Sequence, residues 1–108
     1  MKVTLKTNDK RMYLSDELVK EMGAKRGNMV MIFREIESGE HGLFLIRGAH
    51  DEKIIDGTRI RWSRTRGYYL EPKTPPTLFL CALKNVTGKQ EFPVHKTEVK
   101  QATVFIWK

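Results

Sequence analysis

The sequence predicts a mostly β protein: a small barrel-like domain of eight or nine strands with one short helix. Three observations carry this expectation. Short apolar runs, several alternating with charge, recur between turn-forming clusters along all 108 residues. Apolar residues at helical spacing stand out once, at Leu14, Leu18, Val19 and Met22. Asp56-Gly57, set between two apolar runs, is a strong short-range hairpin signal.

Val3 and Leu5 alternate with Lys2, Thr4 and Lys6, the pattern of a half-buried strand. Asn8-Asp9-Lys10 reads as a turn, and Arg11 to Leu14 as a short strand leading into the helix. Ser15 stands where a helix N-cap belongs, and its hydroxyl can accept a bond from an otherwise unpaired N–H. Leu14 and Val19 suit a hydrophobic staple, Asp16 and Glu17 suit the positive end of the helix dipole, and Gly23 suits the exit. A helix of two turns is marginal alone, so the strands around it must hold it. Lys25-Arg26-Gly27-Asn28 is a turn into the apolar run Met29 to Phe33, and Ser38 to Gly42 closes a hairpin onto Leu43 to Ile46. The second half reads as strands at Ile54-Ile55, Thr58 to Ser63 and Tyr68 to Leu70. Pro72, Pro75 and Pro76 delay the next strand to the run 78–83, and a last strand runs from Val99 to Trp107.

The chain length fits one domain, residues 1–108, with a more neutral half at 1–50 and a basic all-β half at 51–108. Net charge is +7, and it is unevenly placed. Residues 1–51 hold nine Lys/Arg against eight Asp/Glu, whereas residues 52–108 hold eleven against five. An excess of that kind favours a polyanionic partner, nucleic acid foremost, or the acidic surface of another protein. No apolar run approaches the roughly 18 residues of a membrane span, and the N-terminus lacks a signal-peptide core. The single Cys81 excludes an internal disulfide framework; together these features point to a cytoplasmic protein.

Residues 2–47 carry a resemblance to a known family. The matching stretches are Arg11-Met12-Tyr13-Leu14-Ser15-Asp16-Glu17-Leu18 and Met22-Gly23-Ala24-Lys25-Arg26-Gly27-Asn28-Met29-Val30. Their order of strand, capped short helix, glycine, basic turn and strand resembles the AbrB/MazE/SpoVT swapped-hairpin family of DNA-binding regulators and antitoxins. The resemblance implies a swapped-hairpin N-terminal half in a homodimer, and DNA contact through Lys6, Lys10, Arg11 and Lys20. A second, degenerate copy is visible where Arg11 to Ser15 is laid over Arg66 to Leu70 with a small shift. Two copies in one chain would make a monomeric pseudo-dimer in place of the two-chain homodimer.

The densest functional signal is Arg59-Ile60-Arg61-Trp62-Ser63-Arg64-Thr65-Arg66-Gly67-Tyr68-Tyr69. Guanidinium groups pair bidentately with phosphate, which makes Arg59, Arg61, Arg64 and Arg66 candidate nucleic-acid contacts. Trp62 and Tyr68 are candidate stacking platforms for bases; the competing expectation buries the aromatic residues in the core. Enzyme signals are lacking. His41, His50 and His95 stand on separate segments without metal-ligand spacing, and no glycine-rich phosphate loop occurs. Neither a catalytic residue, a metal nor a cofactor is expected. The leading function is DNA binding, as a transcriptional regulator or antitoxin-like factor; the alternative is a phage-type modulator that docks on an acidic protein surface.

Overall fold

In a computed structural model the described residues are 1–6, 9–34, 37–46, 57–71, 88–99 and 102–107. They form β1 (Lys2–Lys6), β2 (Met12–Leu14), α1 (Asp16–Glu21), β3 (Met29–Arg34), β4 (His41–Leu45), β5 (Gly57–Ser63), β6 (Gly67–Leu70), β7 (Lys89–Pro93), β8 (His95–Val99) and β9 (Ala102–Trp107). All strand pairings are antiparallel, in the order β7-β1-β2-β6-β5-β3-β4-β9-β8. The sheet curls into a nearly closed barrel.

Two bends produce the closure. Strand β5 pairs with β3 through Gly57 to Arg59 and with β6 through Ile60 to Ser63. The segment 89–99 does the same at the other corner: β7 lies on β1, β8 lies on β9, and only Val94 separates them. The outermost strands of the order are therefore consecutive in the chain. Corners of this kind are how a sheet folds back over its own core. Val94 turns inward there, and its N–H donates to the Met1 carbonyl at 2.9 Å.

The pairing scheme has an internal twofold symmetry. Exchanging β1 with β5, β2 with β6, β3 with the β7–β8 segment and β4 with β9 returns the same set of ladders. The registers agree as well, with the exchange centred on Tyr13 opposite Tyr69 and on Leu43 opposite Phe105. Val3 then corresponds to Ile60, Leu14 to Leu70, Val30 to Val94 and Leu43 to Phe105, and all eight are core residues. Met12-Tyr13-Leu14 matches Tyr68-Tyr69-Leu70, one residue away from the overlay that the sequence suggests. The halves are interleaved, because β2 lies on β6 and β4 on β9.

The helix closes part of the core. Ser15 is its N-cap, with an extended backbone and an Oγ that accepts from Leu18 N at 3.3 Å. The same Oγ accepts from Lys2 N at 3.0 Å, which ties the helix start to β1. Leu18, Val19 and Met22 are buried with Leu14, and Gly23 leaves the helix at φ 67°.

Two strand assignments differ from the sequence expectation. No strand was expected at 90–98, where β7 and β8 lie, and the expected strand from Val99 to Trp107 begins instead at Ala102. Polar alternation in Lys-Gln-Glu and the proline at 93 hide β7. Its Pro93 is tolerated because it ends the strand beside Lys2. The Ile54-Ile55 strand, the Asp56 side of its hairpin, the 78–83 strand, the proline segment and Cys81 lie outside the described residues.

Candidate nucleic-acid interface

Strand alternation decides where the arginines point. On β5, Thr58 and Ile60 are buried while Arg59 and Arg61 are exposed. Arg64 and Arg66 are exposed in the following turn, where the Ser63 hydroxyl accepts from Arg66 N at 3.0 Å and Gly67 re-enters the sheet at φ 70°. The four arginines thus share one hairpin. Arg59 Nη1 donates to the Gly27 carbonyl at 3.0 Å. Among the described residues, Arg61, Arg64 and Arg66 have no carboxylate within ion-pair distance.

A second basic element lies against this hairpin. Gly27 N donates to the Ile60 carbonyl and Ile60 N to the Asn28 carbonyl, both at 2.8 Å. The turn is fixed by Asn28, whose Oδ1 accepts from Lys25 N at 2.8 Å, and by Gly27 at φ 92°. Lys25 and Arg26 are exposed on it. From sequence their charge is explained by the nearby helix C-terminus alone. The signal that recruits them, the β3–β5 pairing, is long-range and leaves no local trace.

Trp62 completes the cluster. It follows the inward alternation of Ile60, yet it is 43% exposed, the most exposed large hydrophobic among the described residues. Its cross-strand neighbour Tyr68 is half-buried and packs on the core, so Tyr68 offers little surface for stacking. Comparison with protein-family models, curated proteins and solved structures gives no match. The chemistry of the site must therefore be read from its own residues.

The cations expected from the first half are held differently. Tyr13, Tyr69 and Arg61 form one row across the outer face of the sheet. The Tyr13 and Tyr69 rings lie 6.4 Å apart, with Lys6 Nζ 4.5 Å from the Tyr13 centroid and Arg11 Cζ 5.9 Å from that of Tyr69. Arg11 also pairs with Asp9 at 3.5 Å and Glu71 at 3.4 Å. Tyr13 Oη donates to Asp9 Oδ2 at 2.6 Å, and Arg11 N donates to Asp9 Oδ1 at 3.0 Å. Burial alone would raise the Asp9 pKa; the Tyr13 hydroxyl, the Arg11 N–H and the Arg11 and Lys6 charges outweigh it and hold the carboxyl below its ordinary range. Burial and the Asp9 carboxylate together push the Tyr13 hydroxyl up. Lys6 and Arg11 are thus engaged within the protein. Lys10 is exposed beyond them on the β1–β2 turn, and Lys20 is exposed on α1 among Asp16, Glu17 and Glu21.

The arrangement therefore places exposed positive charge on the β5–β6 hairpin and on the Lys25–Asn28 turn bonded to it, with one exposed indole on the same strand. Among the described residues, no group of His, Cys, Asp and Glu is placed to hold a metal ion, and no helix is long and apolar enough to cross a membrane.

Proposed function

We propose that the protein binds nucleic acid, DNA foremost, through the β5–β6 hairpin. The observation that carries this reading is the exposure of Arg59, Arg61, Arg64 and Arg66 on one hairpin, with Lys25 and Arg26 exposed on the turn bonded to it at Ile60 and Trp62 exposed on the same strand. Guanidinium groups match phosphate oxygens in geometry and charge, and no enzymatic step is needed for them to act. The barrel serves as a rigid scaffold, and α1, with three acids against Lys20, is left to hold the fold. In this reading Lys6 and Arg11 are secondary, and Lys10 extends the contact along the outer face. A role as a transcriptional regulator or antitoxin-like factor follows from the AbrB-type resemblance of residues 2–47 and is part of the same proposal.

The test is fluorescence anisotropy of labelled oligonucleotides with the full chain and with an Arg61→Gln/Arg64→Gln/Arg66→Gln variant. All three side chains are exposed, so the variant should fold normally. Binding by the wild type at about 50 mM salt, lost or greatly weakened in the variant, supports the reading. Absence of binding to every duplex and single strand tested refutes it.

A further inference from the structure

The twofold pairing scheme explains why Trp62 is exposed. Its counterpart is Leu5, one position beyond the Thr4–Arg61 correspondence, and Leu5 is only 1% exposed. Leu5 is covered because β7 continues past it, pairing Gln90 with Leu5 and Lys89 with Lys6. Beside β5 the equivalent strand stops. The ladder ends at Ile60, where Gly27 and Asn28 bond to it, and the Lys25–Asn28 turn carries the chain away. Arg61 to Ser63 therefore have β6 on one side and, among the described residues, no strand on the other.

Among the described residues this edge is open, and it forms a chemically defined slot. Ile60 directs its N–H and carbonyl towards Asn28 and Gly27, away from β6. Alternation along an antiparallel pair sends the N–H and carbonyl of Trp62 in the same direction, into the slot. An indole face, one backbone donor and one backbone acceptor thus stand together. Lys25 and Arg26 are exposed on the turn that bonds to Ile60 at one end of the slot, Arg64 is exposed in the turn at its other end, and Arg61 stands on the opposite face of the strand. The slot is about two residues long, short for an added peptide strand, which draws on a run of ladder bonds. It is long enough for one flat ring. Tyr13 and Tyr69, by contrast, already have cations over their rings.

We infer that this slot is a subsite for one unstacked base of a single-stranded nucleic acid, stacked on Trp62 with its flanking phosphates held by the surrounding cations. The inference rests on the nucleic-acid reading above and narrows it to single strands.

Trp62 reports on its own occupancy, because the other tryptophan, Trp107, is 2% exposed in the core. The experiment titrates the full chain with (dT)8, with a duplex of the same length and with an octaglutamate peptide, following tryptophan emission and anisotropy. The expected result is quenching by (dT)8, weaker binding of the duplex, and a loss of (dT)8 affinity of about 5- to 150-fold in Trp62→Ala, largely restored in Trp62→Phe. Binding of (dT)8 without quenching and with an unchanged Trp62→Ala affinity overturns the base subsite and leaves the nucleic-acid reading standing, as does tighter binding of the duplex. A response to octaglutamate with none to either oligonucleotide overturns both, and assigns the slot to an acidic peptide.

Discussion

Asp9 shows how a single residue organises the outer face of the sheet. It accepts from Tyr13 Oη and from Arg11 N, and its charge holds the Arg11 guanidinium over Tyr69. Its carboxyl pKa lies below the ordinary value in the folded chain, so Asp9 binds its proton more readily when unfolded. The resulting stability is present above the unfolded carboxylate pKa of about 4 and is lost as pH falls through the lower folded value. Thermal melts of wild type should therefore fall off on the acid side of about pH 4, and Asp9→Asn should show a lower melting point at neutral pH with a shallower acid decline. An acid decline as steep in the variant as in wild type would remove Asp9 from this role. Gly42 offers a second residue-scale test. A Cβ there would fall onto the Phe33 ring directly across the β3–β4 pair. Gly42→Ala should cost about 1–3 kcal/mol by urea unfolding, the usual penalty for overpacking.

At the scale of elements, the helix and the hairpin show what a sequence discloses. The cap at Ser15, the staple of Leu14 with Val19 and the exit at Gly23 are local, and all are legible in the order of residues. Ser15→Ala should destabilise by about 1–2 kcal/mol, because it strands Leu18 N and removes the Lys2 N bond that no helix rule foresees. The β5–β6 hairpin was equally legible, from alternation and from Gly67. Long-range relations were not. That Lys25 and Arg26 stand beside Ile60 depends on β3 pairing with β5, and that Arg11 is occupied depends on Glu71 arriving from β6. Trp62 illustrates the same limit. Its alternation with Ile60 suggests a core position, but a neighbouring strand decides exposure, and here that strand ends one turn early.

For the whole molecule, the consequence of the symmetric pairing is mutual dependence. Each half lends its strands to the other: β1 needs β7, β3 needs β5, β2 needs β6 and β4 needs β9. Residues 1–50 alone should not yield a folded monomer by circular dichroism and light scattering, whereas the whole chain should scatter as a monomer of 12.6 kDa. A folded, monomeric 1–50 fragment would show that the halves are separable. The barrel also explains the division of labour along the chain. The first half supplies the cap, the helix and most of a network of engaged charges, while four arginines of the second half lie exposed on one hairpin.

Salt dependence measures the charge that this hairpin presents to nucleic acid. For a single strand, log K should fall linearly with log salt, with a slope of about −0.7 for each phosphate neutralised. With Arg61, Arg64 and Arg66 each meeting one phosphate, replacing all three by Gln should make the slope shallower by about 2. An affinity for (dT)8 that does not change with salt, or a slope equal in wild type and the triple variant, would contradict nucleic-acid binding by the β5–β6 hairpin.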